Sequence, residues 1–339
     1  MRAVAALLLL AAAAAASYDP LGFSEAVLRA DVVAIGTVDG VGGRTYHLRV
    51  ERAVAGAEKG ERLEVRRFRD WTCAARGKPY ARGQRILALL GRFDGKLAPL
   101  GAACEGEVFL DAGTARVVQL SYPLDVGEEE LAEAVAELRE GWRDAEPDAW
   151  RKLLASPRAL VARSAVEKLY GDAWKREGLA AAIADAFPPL LAHEDPCVRL
   201  GVAEGLPRIV GKEAARRRAA SLRDLGGRGG VAAALALCYV DPTDTEAMSA
   251  LLAAAGGAPL GVEEDRAVRH LLYDAPELGE ERRDLYPACR ALLERDLPRD
   301  LAHALLIALR RWHGERAPLP HEKTEAERQA WLARLRAVR

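Results

Sequence analysis

The chain has 339 residues, half of them apolar and 6% aromatic, and a formal net charge of −1. That length fits two ordinary domains and that apolar share supplies real cores, which excludes a disordered chain and a disulfide-only miniprotein. A near-zero charge gives no global field to attract nucleic acid or anionic membrane. The composition is nevertheless skewed, with 67 Ala, and with 41 Arg against 8 Lys.

Residues 1–16 read MRAVAALLLLAAAAAA. Arg2 gives a positive start, an apolar stretch follows, and Ala14-Ala15-Ala16 forms a small-residue site before Ser17. This is the pattern of a cleavable secretory signal peptide. The stretch is shorter than the roughly 20 residues that span a bilayer, and no later apolar run reaches that length. The expected location is therefore periplasmic or extracellular, with no transmembrane segment after cleavage. An excess of Arg and Ala points to a GC-rich bacterial coding sequence.

The mature chain changes character near Gly127. Val, Ile and Thr number 18 of the 111 residues over 17–127, but 17 of the 212 over 128–339. Ala goes the other way, from 15 to 43. β-branched side chains suit a pleated surface and Ala suits a helix, so a β-rich domain (17–127) precedes an α-rich one (128–339). In chain order, Ser24 to Arg29 reads as a short helix. The run Val32 to Val38 reads as a buried strand, ended by Asp39-Gly40. Tyr46, Leu48 and Val50 alternate with polar residues in a second strand. Leu63 and Val65 mark a third and Ile86 to Leu90 a fourth. Val108 to Leu110 and Ala115 to Leu120 add one or two more. Five or six strands at this spacing fit a small barrel of the oligonucleotide/oligosaccharide-binding (OB) type.

The series Ala30 to Val38, Tyr46 to Val54, Gly60, Leu63, Val65, Cys73 and Gly83 to Leu87 resembles the netrin-module and TIMP-like OB barrel over residues 20–122. The TIMP-type inhibitors act through a mature N-terminal Cys. The expected N-terminus here is Ser17-Tyr18, so the resemblance does not imply protease inhibition. Cys73 and Cys104 are the two Cys of this half, and in an exported chain a disulfide between them is the natural reading.

From Glu128 onward, amphipathic helices follow one another, the first with Leu131, Val135 and Leu138 on one face. Asp195-Pro196-Cys197-Val198-Arg199-Leu200-Gly201-Val202-Ala203-Glu204-Gly205-Leu206 resembles the second helix of a HEAT-like (PBS-lyase-type) repeat. Asp195 can cap it, Pro196 opens its first turn, and Val198, Val202 and Leu206 form an inner stripe. Leu153-Leu154, Val161, Ala165 and Leu169 recur 37 residues later as Leu190-Leu191, Val198, Val202 and Leu206. Leu292-Leu293, Pro298, Leu301, Leu305 and Leu309 give a further copy. Thr243/Glu246 and Thr324/Glu327 read as capping boxes. Gly226 to Gly230 reads as an interhelical turn. Such units bury their faces by stacking on neighbours, and Ala lets their backbones approach. The expected fold class is thus an α+β multidomain chain, an OB-like β-barrel followed by an all-α HEAT-like solenoid.

Chemistry is sparse. Cys197, Cys238 and Cys289 lie among apolar neighbours and read as buried thiols. No CxxC spacing, no pair of His four apart and no Gly-x-Ser-x-Gly elbow occurs, so neither a cofactor, a metal nor catalysis is expected. One stretch stands out. Residues 61–92 carry nine Arg or Lys against three acids, with Phe68, Trp71 and Tyr80 interleaved. Arg66, Arg67, Arg69, Trp71, Arg76, Tyr80 and Arg82 form a candidate patch for a polyanion or single-stranded nucleic acid. A solvated Arg-rich loop is the plainer reading, since export removes the chain from most nucleic acid. The expected function is therefore an exported, non-enzymatic scaffold that binds another protein through the helical surface. Polyanion binding by the 62–92 region is the alternative.

Overall fold

The computed structural model describes residues 21–70, 76–101, 105–119, 122–143, 146–172, 179–213, 215, 217, 227–241, 243–257, 260–273, 285–295, 297–312 and 324–337. Residues 1–16, Cys73 and Cys104 fall outside these, and with them the export signal and the disulfide. The chain divides into two compact units, Met1–Ala145 and Glu146–Arg339.

In the first unit, helix α1 (Phe23–Arg29) leads into β1 (Val32–Val41), β2 (Thr45–Ala55), β3 (Arg62–Arg66), β4 (Arg85–Phe93) and β5 (Lys96–Pro99). β1, β2 and β3 pair antiparallel in sequence order. β3 then pairs parallel with β5 at Val65 and Leu97. β5 pairs antiparallel with β4, and β4 with β1, which closes a five-stranded barrel. The order β1-β2-β3-β5-β4-β1 is compatible with an OB-like barrel. Closure leaves no free edge among these five strands.

Alternation explains the filling. Val32, Ala34, Val38, Tyr46, Leu48, Val50, Leu63, Val65, Ile86, Ala88, Leu90 and Leu97 form the interior cluster. The opposite faces of β1 and β4 are buried too, through Val33, Ile35, Leu87 and Leu89. That is why Val32 to Ile35 is a continuous apolar run rather than an alternating one. Two glycines are needed by geometry. Gly56 has φ of +68°, and a Cβ there would meet the Asp31 carbonyl oxygen at 2.0 Å. Gly106 passes so close to Leu89 and Leu100 that a Cβ would lie 2.4 Å from the Leu89 oxygen.

Three strands extend the barrel: β6 (Glu107–Asp111) on β4, then β7 (Thr114–Gln119) and β8 (Tyr122–Gly127). Helix α2 (Glu128–Arg143) follows and belongs to this unit. Leu131, Val135 and Leu138 are its buried face, as their spacing predicts. Arg139 donates to the carbonyls of Val27 and Ala30, and Arg85 pairs with Glu128. The compact units divide at 145/146, after this helix. Composition marks where strands end, whereas contacts decide which unit a helix joins.

The second unit is helical: α3 (Pro147–Leu154), α4 (Ala159–Asp172), α5 (Leu179–Ala182), α6 (Phe187–Leu190), α7 (Pro196–Val210), α8 (Gly227–Val240), α9 (Thr245–Gly257), α10 (Val262–Tyr273), α11 (Tyr286–Leu293), α12 (Arg299–Trp312) and α13 (Thr324–Ala337). α4 packs on α7, α7 on α10 and α10 on α12. α8 packs on α9, α9 on α11 and α11 on α13. The repeated apolar positions are buried: Leu153, Leu154, Val161, Ala165, Leu169, Leu190, Leu191, Val198, Val202, Leu301, Leu305 and Leu309. Leu206 lies on α7 with them in sequence. Asp195 caps α7 by accepting the Val198 N–H, and Pro196 is the first helical residue.

Some local expectations change. Gly227 to Gly230 belong to α8 and are not a turn. Each Gly costs about 1 kcal/mol of helix propensity, but α8 is nearly all buried from Val231 to Val240, and that burial wins. α9 is capped by Asp244, which accepts the Ala247 N–H, while the Thr243 hydroxyl donates to Asp241. Glu327 accepts from Arg310 and Trp331. No helix among the described residues is long and apolar enough to cross a membrane.

Candidate functional site

The barrel brings one end of four strands together. β2 begins, β3 ends, β5 begins and β4 ends at the same rim, because β3 runs parallel to β5 and antiparallel to β2. An open groove of about 1410 Å³ lies there. Its lining comes from the β1–β2 loop and start of β2 (Gly43, Arg44, Thr45), and from β3 and the segment after it (Glu64, Arg66, Arg67, Phe68, Arg69, Asp70). The approach to β4 (Arg76 to Tyr80) and the β4–β5 hairpin (Arg92, Gly95, Lys96, Leu97) complete it.

One wall is fixed by a buried arginine. The Arg76 side chain is 4% exposed and Glu107 is fully buried. Arg76 Nε donates to Glu107 Oε2 at 2.6 Å, Nη1 to the Lys78 carbonyl at 2.7 Å and Nη2 to Gln84 Oε1 at 3.0 Å. Its guanidinium lies 3.5 Å from the centroid of Tyr80. The Tyr80 hydroxyl donates to Glu107 at 3.1 Å and accepts the Phe68 N–H at 2.8 Å. The Tyr46 ring lies 4.9 Å from that of Tyr80, and the Arg67 guanidinium 4.8 Å from it. Burial first, and the Glu107 carboxylate second, push both phenols above their ordinary value. Both therefore stay neutral, which suits a site that already holds one buried ion pair.

The other cations divide by whether a carboxylate holds them. Lys78 pairs with Asp111, whereas half-buried Arg67 has no carboxylate among the described residues but donates to the Gly42 carbonyl and stands over the Tyr80 ring. Arg62 pairs with Asp39, and Arg85 with Glu51 and Glu128, all away from the groove. Arg44, Arg66, Arg69, Arg92 and Lys96 are exposed, line the groove, and have no ion pair among the described residues. The acids on the lining are Glu64 and Asp70. Asp70 is tied to the Arg76 N–H.

The structure thus brings Arg66, Arg67, Arg69, Arg76 and Tyr80 of the sequence-derived patch to one groove. Arg82 is exposed but does not line it. Trp71 lies outside the described residues. Arg76 lines the wall from a buried position and is the brace of the site, not a free cation. Arg44 and Lys96 were not identifiable from the local sequence. They lie outside residues 62–92, at the β1–β2 and β4–β5 hairpins, and strand pairing brings them to the groove. No protein-family model matches this chain, and no curated protein or solved structure does.

In the helical unit the motif Asp195 to Leu206 has a structural use. Arg163 on α4 donates to both carboxylate oxygens of Asp195, with both side chains nearly closed to solvent. Arg199 on α7 is buried, pairs with Glu264 on α10, and donates to the carbonyls of His193 and Glu194. Cys197, Cys238 and Cys289 are free and buried. Burial pushes the Cys197 and Cys238 thiols up to about 12, and raises Cys289 as well. Such thiols are poor nucleophiles near neutrality. Among the described residues no group of three His, Cys, Asp or Glu is placed to hold a metal.

Proposed function

We propose that the barrel unit is a binding module for an anionic polymer, held in the groove between the β1–β2 loop, β3 and the β4–β5 hairpin. The observation that carries this is the set Arg44, Arg66, Arg69, Arg92 and Lys96. They converge from three chain segments on one groove and are not neutralised there. Barrels of the OB type take oligonucleotides and oligosaccharides on this face. A volume of about 1410 Å³ exceeds what a small anion needs and suits a chain of linked charges. The test is retention of the full chain on immobilised heparin and on single-stranded DNA across a salt gradient. Retention should fall with salt and be lost in Arg66→Glu/Arg69→Glu, each reversal lowering the log–log salt slope by about one. Salt-insensitive passage through both columns would remove the proposal.

The same reading takes the chain as exported after loss of residues 1–16, non-catalytic, and related in its barrel to the netrin and TIMP modules. Mass determination of the mature N-terminus tests the export step, with Ser17 expected first. A second reading assigns the helical unit as a HEAT-like array that docks a protein partner. It is supported by the joints Arg163–Asp195 and Arg199–Glu264, which tie α4 to α7 and α7 to α10 in succession. Crosslinking in the periplasm should then recover one partner, lost when exposed charges on that unit are reversed.

A further inference from the structure

One cation of the groove differs from the others, and its role rests on the groove reading above. Arg44, Arg66, Arg69, Arg92 and Lys96 are exposed, so salt screens what they offer a ligand. Arg67 lines the same groove but is half-buried. It is held within the protein from two sides. Nη1 donates to the Gly42 carbonyl at 2.9 Å, and the guanidinium stands 4.8 Å from the centroid of the Tyr80 ring. Its backbone N–H donates to the Arg44 carbonyl at 2.9 Å, next to the pairing of Thr45 with Arg66. The side chain is therefore placed before a ligand arrives, which lowers the ordering cost of a contact.

Its charge is not cancelled among the described residues. The Tyr80 phenol beside it stays protonated, because burial, and then the Glu107 carboxylate, hold that phenol above its ordinary value. Of the acids about this wall, Glu107 is engaged by Arg76 and Tyr80, and Asp70 by the Arg76 N–H. Arg67 Nε is also closed to solvent and has no acceptor among the described residues. A buried donor without a partner costs free energy, which an entering acceptor recovers. A guanidinium that is half-buried, already placed and uncompensated is where an oxyanion gains most, since salt and water compete least there. We infer that Arg67 takes one oxyanion group of the bound polymer, whether phosphate, sulfate or carboxylate, in a contact that outlasts high salt. The five exposed cations supply the salt-sensitive attraction.

Charge-conserving substitutions test this. The full chain and its Arg67→Lys and Arg66→Lys variants are titrated by anisotropy, at low and at high salt, against fluorescein-labelled oligo(dT) and a fluorescein-labelled heparin oligosaccharide. Lysine keeps the charge and removes the planar fork. Arg67→Lys is expected to weaken binding about ten-fold or more at both salt concentrations, and Arg66→Lys by less than about two-fold. A loss with oligo(dT) assigns the contact to phosphate, and a loss with heparin alone to sulfate or carboxylate. The backbone bond to Arg44 does not need the side chain, so the fold should survive, and thermal unfolding checks it. In the unsubstituted protein the NMR signal of the Arg67 Nε–H should move when either binding probe is added. Three results overturn the role of Arg67 and leave the groove standing: parent-like binding by Arg67→Lys, a loss that vanishes at high salt, or an Nε–H signal that the probe does not move. Absence of binding of both probes to the parent overturns the groove reading itself.

Discussion

Arg76 Nε lies 2.6 Å from Glu107 Oε2, and both side chains are buried. The pair joins the segment before β4 to the first residue of β6, and so holds the groove wall on the barrel. A buried pair is weak as a net stabiliser, because desolvation offsets much of the attraction, but removing one partner strands the other. Arg76→Met should therefore destabilise the barrel by about 3–5 kcal/mol. The double variant Arg76→Met/Glu107→Leu should recover a large part of that loss. Urea denaturation of the full chain reads both. A single variant as stable as the parent would show that water reaches Glu107.

Asp195 serves two purposes that one substitution can separate. It accepts the Val198 N–H as the cap of α7 and binds Arg163 with both oxygens. Asp195→Asn keeps an acceptor for the cap but removes the charge opposite Arg163, whereas Asp195→Ala removes both. The alanine variant should be the less stable by about 0.5–2 kcal/mol, the usual worth of a cap. Equal stability of the two in thermal unfolding would mean that the cap contributes nothing.

Gly56→Ala should destabilise the first unit more than a Gly→Ala change whose Cβ meets open space, such as Gly113→Ala. Both positions have positive φ, of +68° and +80°, so both bear the left-handed backbone cost. At Gly56 a Cβ also meets the Asp31 oxygen at 2.0 Å, while at Gly113 nothing lies within 4 Å. The difference between the two variants in denaturation midpoint reads the steric part alone.

The buried thiols make a pH prediction with a definite sign. Folding raises the Cys197 and Cys238 thiols from an ordinary value of 9.0 to about 12. The unfolded chain therefore releases protons first, between pH 9 and 12. The stability these groups confer is whole below pH 9 and is lost as pH rises towards 12. At pH 8 the native protein should resist Ellman's reagent at Cys197, Cys238 and Cys289. Denaturation without reductant should expose three reactive thiols if Cys73 and Cys104 are joined. Five would refute that disulfide.

Much of this architecture is legible in residue order, because the deciding interactions are local or periodic. Val32 to Ile35 is apolar at every position and so is a strand buried on both faces. Asp195-Pro196 announces a capped helix, and the 37-residue recurrence of apolar positions picks out side chains that the fold buries. Residue order also shows an excess of cations over 61–92. It does not show which of them matter. Arg62 and Arg85 are neutralised by Asp39, Glu51 and Glu128, and Arg76 is drawn into the wall by Glu107, partners that stand 23 to 43 residues away. Arg44 and Lys96 enter the groove only because β3 pairs with both β2 and β5. The Tyr80 ring is engaged by Arg76 and Tyr46, and its hydroxyl by Glu107. Strand closure juxtaposes distant segments, and ion pairs between them cancel or spare individual charges, so the groove's chemistry is a property of the tertiary structure.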